Sequence, residues 1–465
     1  GVIISDYNAI AELIHHGVAA DLADAAALAL NAGVDIDMMA DAYRKGLPVA
    51  LKRGTVTMEQ IDTAVRRVLQ LKERLGLFDD PYRRGTTPES PQVIAQRRAL
   101  SREVAQRCIV LLRNERSVLP LPASIGNLCV IGPLGDAKAL MRGPWAAVGD
   151  IDGHVTVLEG LRNALPHTRI VHVQGVGVNE PAPADMTETL RQCDAADAIV
   201  LCLGEADNMS GEAASRAYPE IPEGQKQLAQ AVIERAWQRH TPVIAVLFSG
   251  RPLVIPWLAE QADAILAAWF LGSEAGNAIA DVLTGRASPS GRTPMTWPRA
   301  VGQIPVYFGM RPSGRPFNPK DHYTSQYLDV VNEPLYPFGH GLTYGRFHYA
   351  NLRVAPENLA RDQTLEVQVD VTNQGSAQAE ETVFVFTHDR LASITRPVLE
   401  LRGFAKARLS AGQTQTVTLQ IAASDLSFPG PDLQPLFEPG ELDVFAGPCA
   451  DPAQLLGARI RLHKT

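Results

Sequence analysis

The chain has 465 residues, of which 46% are hydrophobic and 20% are charged, and its formal net charge at pH 7 is −8. This length exceeds what one ordinary hydrophobic core holds, so the sequence predicts two to four domains. The negative charge argues against nucleic acid or an anionic membrane surface as a partner, and no apolar run is long enough to predict a transmembrane helix.

Residues 1–82 alternate between strand-like and helix-like stretches. Residues 2–5, Val-Ile-Ile-Ser, predict a buried strand, and Asp6 stands at its end. Residues 34–39 predict a second short strand, and helical spacing follows both strands. This order is that of two βα units of an α/β layer fold. Because the chain begins inside a core-type strand, we expect it to be part of a longer gene product.

The next two segments predict a linker and a second α/β domain. Residues 83–104 begin with proline, glycine and charged residues and predict a linker that runs into a helix. In residues 105–305, continuous apolar runs end at glycines or turns, with helical stretches between several of them. Such runs are typical of a mostly parallel sheet covered on both faces, with ligands bound beyond the carboxyl ends of its strands.

The last part of the chain predicts an all-β domain. Residues 306–345 are rich in proline, glycine and tyrosine and predict a long ordered connection. From residue 346 to residue 465, apolar and polar residues alternate with a period of two, and turn signals separate the runs. This pattern predicts an antiparallel β-sandwich of the immunoglobulin or fibronectin type.

Asp6 is the first candidate for chemistry. It follows a predicted strand and precedes a predicted helix, so Ser5, Asp6 or Asn8 could each cap the helix start. In barrel enzymes, residues at the carboxyl ends of strands face the active site, which makes Asp6 a candidate catalytic carboxylate. The local pattern alone favours the cap.

The second candidate is the loop GEADNMSGEAASR, which follows the predicted strand at residues 198–203. It carries Glu205, Asp207 and Glu212, and Arg216 ends it. A carboxylate on such a loop suits a general acid, whereas a solvated acidic loop paired locally with Arg216 is an equally good interpretation. Two carboxylates from separate domains are the groups that glycoside hydrolysis requires.

Several stretches resemble glycoside hydrolase family 3. GVIISDYNAIAELIHHGVAAD and VLQLKERLGLFDDPY are similar to the C-terminal part of that family's catalytic barrel, and VAQRCIVLLRNERSVLPL resembles the start of its α/β-sandwich domain. EPLYPFGHGLTYGRFHY resembles its fibronectin type III-like tail. The resemblance extends over nearly the whole chain, and GEADNMSGEAASR is typical of the family's periplasmic β-glucosidase branch.

The resemblance implies roles for five residues. Asp6 corresponds to the nucleophile, which overrides the cap interpretation, and Glu212 corresponds to the acid/base, with Glu205 as the alternative. Tyr7 would stack on the sugar or pack against the protein, and Arg216 would orient a carboxylate or an acceptor sugar. The implied reaction is retaining hydrolysis of terminal non-reducing β-D-glucosyl residues, without a metal or an organic cofactor.

The resemblance also sets the alternatives. These are another β-glycosidase of the family, such as a β-xylosidase, or a catalytically inactive fragment that acts as a carbohydrate-binding or interaction module. In the family, residues from earlier barrel strands line the glycon pocket. Those strands are not part of this 465-residue sequence. We therefore expect a fragment whose partners are a β-glucoside or oligosaccharide and either the missing barrel segment or a second copy of the chain. The implied localisation is periplasmic or secreted.

Overall fold

The structure is a computed structural model that describes residues 1–82, 85, 88–146, 149 and 151–463. The chain divides into two units, Gly1–Ile94 and Ala95–Thr465. The division falls inside the predicted linker at residues 83–104, of which residues 83, 84, 86 and 87 lie outside the described residues. In the described part of the chain, no helix is both long and apolar enough to cross a membrane.

Unit 1 has a helical core that is rich in alanine. Its helices are α1 (Ala9–His15), α2 (Leu22–Asn31), α3 (Leu47–Arg53) and α4 (Met58–Arg74), with a π-helical turn at Ala42–Gly46 before α3. Most of α2 is buried, because small side chains let α1, α3 and the π-helical turn pack closely against it. A capping box closes the start of α4: Gln60 N donates to Thr57 Oγ1 (3.3 Å) and Thr57 N donates to Gln60 Oε1 (2.8 Å).

The prediction of a buried strand at residues 2–5 is wrong with respect to burial. Ile4 forms a single parallel bridge with Ile36, and the side chains of Ile3 and Ile4 are 54% and 49% exposed. The bridge gives the segment a strand neighbour on one side, at residues 34–37. The sequence pattern predicted the extended backbone, but burial depends on further layers that the described residues of unit 1 do not supply.

Helix α5 (Pro91–Cys108) crosses the boundary at residues 94 and 95, and a six-stranded sheet follows it in unit 2. The spatial order is β1-β6-β5-β4-β2-β3, in which β1 is antiparallel to β6 and all other pairs are parallel, so the predicted mostly parallel sheet is confirmed. The strands are β1 (Val110–Asn114), β2 (Asn127–Ile131), β3 (Arg169–Val173), β4 (Ala198–Gly204), β5 (Val243–Phe248) and β6 (Ala264–Ala267).

Two hydrophobic clusters cover the two faces of this sheet. Alternate residues of β4 point to opposite clusters, Val200 and Cys202 to one and Ile199 and Leu201 to the other. Burial on both faces explains why β4 is apolar throughout. The helices are α6 (Val157–Ala164), α7 (Thr187–Cys193), α8 (Glu223–Arg239), α9 (Pro256–Gln261) and α10 (Ala275–Leu283).

The rest of unit 2 is an irregular connection and a β-sandwich. The connection returns to the sheet domain through bridges between Trp297 and Tyr336 and between Leu111 and Leu342. The predicted β-sandwich is confirmed: one sheet has the order β11-β10-β15-β16-β8 and the other the order β12-β9-β7. The structure departs from the predicted antiparallel pairing at one edge of the first sheet, where β8 pairs parallel with β16.

The sandwich strands alternate between buried and exposed positions. In β9, Leu365, Val367 and Val369 are fully buried, which explains the period of two in the sequence. The strands are β7 (Phe347–Ala355), β8 (Asn358–Ala360), β9 (Thr364–Asn373), β10 (Ala379–Asp389), β11 (Glu400–Leu409), β12 (Thr414–Ala422), β15 (Gly440–Gly447) and β16 (Leu456–His463), with the short pair β13 (Phe428–Pro429) and β14 (Pro435–Leu436).

Candidate active site

Asp6 is an exposed carboxylate at the end of the extended segment. Its Oδ1 accepts a hydrogen bond from Tyr7 N (2.7 Å). Helix α1 begins at Ala9, and Asn8 before it has a positive φ of 59° with no side-chain cap. The cap interpretation is therefore wrong, because the helix start is closed by backbone groups and not by the Asp6 carboxylate.

Hydrogen bonds on both sides of Asp6 hold the backbone that carries it. Ser5 N donates to Ile36 O (2.9 Å), and Met38 N donates to Ser5 Oγ (2.9 Å). On the other side, Asn8 N donates to Met38 O (2.8 Å). Residues 36–38 thus fix the backbone at both ends of the Asp6 turn while the carboxylate stays exposed.

Tyr7 follows Asp6 directly, and its side chain is 64% exposed. An exposed tyrosine ring offers a flat apolar face and a polar hydroxyl, which is the surface that sugars stack on and bind. Of the two predicted roles, this exposure favours a sugar-contacting ring over a packed one.

The second candidate loop leaves the sheet at the carboxyl end of β4. Gly204 ends the strand with a φ of 135°, and a Cβ at this position would lie 1.9 Å from Phe248 O. Only glycine permits this backbone and this close approach to β5. Glu205 N then donates to Phe248 O (2.7 Å), which directs the Glu205 side chain into the protein.

Glu205 is fully buried and lies between two arginines. Its Oε1 accepts a hydrogen bond from Arg216 Nη1 (2.9 Å) and lies 3.2 Å from Arg251 Nε. Its Oε2 is buried without a hydrogen-bond partner. The solvated-loop interpretation is thus wrong for Glu205, although the predicted local pairing with Arg216 is present. Arg251 was missed from the sequence, because it follows a different strand, β5.

Glu212 has a different environment from Glu205. It is exposed at the tip of the loop, between Gly211 (φ 88°) and Ala213 (φ 54°). Positive φ angles on both sides form a tight turn that presents the carboxyl group outward.

An aromatic residue that the sequence analysis missed lies beside this turn. Trp145 Cε2 is 3.4 Å from the position that a Cβ of Gly211 would occupy, and the Trp145 side chain is 76% exposed. In the sequence, Trp145 follows Gly143 and Pro144, a pair that is typical of a turn. A tryptophan in a predicted turn is the sequence signal that could have identified it.

The candidate residues thus fall into two groups. Asp6 and Tyr7 are adjacent in unit 1, and Glu205, Glu212 and Arg216 share one loop of unit 2. Across the described residues, no three His, Cys, Asp or Glu side chains gather as they would around a metal ion. The chemistry available to these groups is that of exposed carboxylates, aromatic faces and guanidinium groups.

Comparisons with known proteins match the chain in three segments. Residues 1–71 match the Glycosyl hydrolase family 3 N terminal domain, residues 109–344 match the Glycosyl hydrolase family 3 C-terminal domain, and residues 381–449 match the Fibronectin type III-like domain. The chain is 39% identical to the periplasmic beta-glucosidase of Salmonella typhimurium over 96% of this chain and 61% of that protein.

The chain matches other relatives over similar shares of their length. The chain is 32% identical to a beta-xylosidase of Formosa agariphila, over 96% of this chain and 62% of that protein. The crystal structure of the beta-glucosidase from Listeria innocua in complex with isofagomine superposes with a TM-score of 0.91 at 36% identity, covering 99% of this chain and 64% of that one. The same Listeria protein in complex with glucose superposes with a TM-score of 0.90.

The chain spans less than two thirds of the length of these relatives. The match to the C-terminal domain alone extends over about half of the chain, and the structural likeness covers nearly all of it. These findings confirm the resemblance predicted from the sequence. The chain belongs to glycosyl hydrolase family 3.

Proposed function

We propose that this chain contributes the nucleophile and the acid/base of a retaining β-glucosidase that hydrolyses terminal non-reducing β-D-glucosyl residues. The observation that carries the proposal is the exposed Asp6 carboxylate, at the end of an extended segment of a family 3 chain. The similarity to a periplasmic beta-glucosidase and to a beta-glucosidase solved with glucose supports the choice of sugar. Because the chain spans less than two thirds of these relatives, the activity proposed is that of the whole protein.

The mechanism uses the two carboxyl groups in turn. Asp6 attacks the anomeric carbon and forms a glycosyl-enzyme ester, while the Glu212 carboxyl group gives its proton to the departing glycosidic oxygen. Glu212, now a carboxylate, removes a proton from water, and the resulting hydroxide displaces Asp6 with a second inversion. The anomeric configuration is therefore retained.

Glu212 suits the acid/base role better than Glu205 does. A general acid must come within hydrogen-bond reach of the leaving oxygen, and Glu212 is exposed whereas Glu205 is fully buried. Glu205 also lies in contact with two arginines, which leaves no room for a sugar beside its bonded oxygen. The role of Arg216 is then to hold the Glu205 carboxylate.

The exposed aromatic residues supply sugar contacts. Tyr7 stands beside the proposed nucleophile and Trp145 stands beside the proposed acid/base. We assign Tyr7 to the glucosyl residue that reacts and Trp145 to the leaving group, since aromatic faces bind the apolar faces of sugar rings.

A second substrate class follows from a specific observation. A beta-xylosidase and a putative beta-xylosidase of Formosa agariphila are each 32% identical to this chain. A xyloside lacks only the hydroxymethyl group of a glucoside, so the same two carboxyl groups would serve both reactions. The proposed location, periplasmic or secreted, rests on the Salmonella relative.

The direct test is release of p-nitrophenol from p-nitrophenyl β-D-glucoside by the purified chain, compared with the β-D-xyloside. We expect Asp6→Asn to lower the rate at least about a thousand-fold, because the covalent route is lost. Glu12→Gln, which alters an exposed carboxyl group of the same unit, is the matched control and should leave the rate unchanged.

The outcomes separate the candidate functions. Undiminished hydrolysis by Asp6→Asn would disprove the nucleophile assignment, and faster turnover of the xyloside would favour the second substrate. A folded chain that binds glucosides but releases no p-nitrophenol would mean that catalysis requires residues beyond this sequence, and would favour a carbohydrate-binding role for the chain alone.

A further inference from the structure

The turn that follows β5 packs directly against the loop that carries Glu212. Ser249 Oγ donates to Arg251 O (2.6 Å), which fixes the backbone of this turn. A Cβ at Gly250 would lie 1.9 Å from Ser210 Oγ, so the two segments are in contact without space for a side chain. Ser210 and Ser249 are both buried at this contact.

Arg251 joins the two ends of the Glu212 turn. Its Nη2 donates to Met209 O (2.6 Å) and to Ala214 O (2.7 Å), one carbonyl on each side of Glu212. One guanidinium nitrogen thus holds both ends of residues 210–213. A planar guanidinium presents several donors in a fixed arrangement, which a lysine ammonium on a flexible stem does not reproduce.

Glu205 forms an ion pair with the Arg251 guanidinium group. Its Oε1 lies 3.2 Å from Arg251 Nε, and Glu205 is fully buried whereas Arg251 is partly buried. Two atoms of the pair, Arg251 Nε and Glu205 Oε2, are buried without a hydrogen-bond partner. Burying charges and leaving polar atoms unpaired has a free-energy cost. Such a cluster is therefore poorly explained by stability alone and well explained by the geometry that it imposes on the loop.

We infer that Arg251 is a positioning residue for Glu212, and that Glu205 is the counter-charge that orients Arg251. The inference rests on the proposed function in so far as Glu212 is the acid/base. It assigns the two glutamates of the loop separate tasks, one of holding the loop and one of proton transfer.

The first part of the test does not depend on activity. Hydrogen–deuterium exchange of residues 206–218 is measured in the wild-type chain, in Arg251→Met and in Arg235→Met. Arg235 forms a bidentate ion pair with Asp194 elsewhere in unit 2 and serves as the matched control. We expect Arg251→Met to accelerate exchange of the loop at least about tenfold with no change in β5, and Arg235→Met to leave the loop unchanged. Loop exchange that is unchanged in Arg251→Met would overturn the inference.

The second part separates a positioning role from a merely structural one. The kcat/KM for p-nitrophenyl β-D-glucoside, whose leaving group benefits from protonation, is compared with that for the 2,4-dinitrophenyl glucoside, whose leaving group does not. We expect Arg251→Met to lower the first value at least about tenfold more than the second, as Glu212→Gln should, with partial recovery on addition of guanidinium. Equal losses on both substrates would also overturn the inference.

A second variant keeps the inference testable if Arg251→Met does not fold, as judged by circular dichroism. Glu205→Gln retains the shape of the side chain but removes the counter-charge, and it should change loop exchange and leaving-group dependence in the same direction. If Glu212→Gln itself shows no leaving-group dependence, the proposed acid/base is wrong, whereas the exchange measurement still decides whether Arg251 holds the loop.

Discussion

Glu205 and Glu212 show how strongly the surroundings of a carboxyl group decide its use. Both lie on the loop after β4, yet Glu205 is fully buried between two arginines and Glu212 is exposed at a turn. A pair of carboxyl groups divides its tasks through such differences in environment. The buried glutamate is suited to holding arginines, and the exposed one to meeting a substrate.

This contrast predicts unequal effects on stability. Glu205→Gln leaves two arginines without their buried partner and should lower the free energy of unfolding by about 3 kcal/mol. Glu212→Gln alters an exposed group and should change it by less than about 0.5 kcal/mol. Urea denaturation followed by tryptophan fluorescence measures both, and similar values for the two variants would contradict the burial of Glu205.

A pH dependence of stability follows from His340. Burial lowers the pKa of His340, whose Nε2 donates to Leu112 O (2.9 Å) and whose ring stacks on Tyr336 with centroids 4.6 Å apart. Asp451 and the hydrogen bond oppose this shift, and Arg292 adds to it. The folded state therefore holds this histidine neutral at a pH at which the unfolded chain already binds a proton.

The sign of the effect is a loss of stability in acid. The contribution of neutral His340 to the free energy of unfolding is fully present above the pKa of about 6.5 that the histidine has in the unfolded chain. This contribution is lost as the pH falls toward and through the lower pKa of His340 in the folded state. We expect the free energy of unfolding to fall more steeply between pH 7.5 and pH 5 in the wild-type chain than in His340→Gln. Equal slopes in the two proteins would show that His340 does not titrate on unfolding.

At the scale of elements, two glycines allow α6 and α10 to cross closely. A Cβ at Gly160 would lie 2.1 Å from Gly276 O, and a Cβ at Gly276 would lie 1.8 Å from Thr156 O. The backbones of the two helices touch at this point, and both helices also pack into the same hydrophobic cluster. The crossing depends on the absence of side chains there, not on unusual backbone angles.

Gly160→Ala should therefore destabilise unit 2, although alanine favours helices. Overpacking at this crossing forces α6 away from α10, and we expect a loss of about 1–3 kcal/mol. Gly302→Ala is the matched control, because open space surrounds that position, and it should change the stability by less than about 0.5 kcal/mol. Thermal unfolding of both variants is the measurement, and a neutral Gly160→Ala would mean that the helices separate without cost.

Element-level features were predictable where one local pattern decides the structure. The continuous apolar run of β4 predicted a strand buried on both faces, and the alternation in β9 predicted a sandwich strand. The same reasoning failed for the burial of residues 2–5, because burial depends on which elements cover a strand. The local sequence pattern also could not predict the ion pair between Glu205 and Arg251. Arg251 follows β5, and only the order of the strands in the sheet places β5 beside β4.

At the scale of the molecule, the proposed chemistry is divided between two units. Asp6 belongs to Gly1–Ile94, and Glu212 belongs to Ala95–Thr465. The family matches assign these units to the N terminal and C-terminal domains of family 3, respectively, and the second unit continues into the fibronectin type III-like domain. The proposed mechanism thus takes one carboxyl group from each of these two family 3 domains.

In the proposed mechanism Asp6 forms the glycosyl-enzyme ester, and covalent trapping detects this ester. The chain is incubated with 2-deoxy-2-fluoro-β-D-glucosyl fluoride, which loses fluoride when a nucleophile attacks and leaves a slowly hydrolysed ester. Mass spectrometry of the digested protein then locates the adduct. We expect one adduct, on the peptide that contains Asp6, and none in Asp6→Asn. An adduct on another carboxyl group, or equal labelling of Asp6→Asn, would contradict this mechanism.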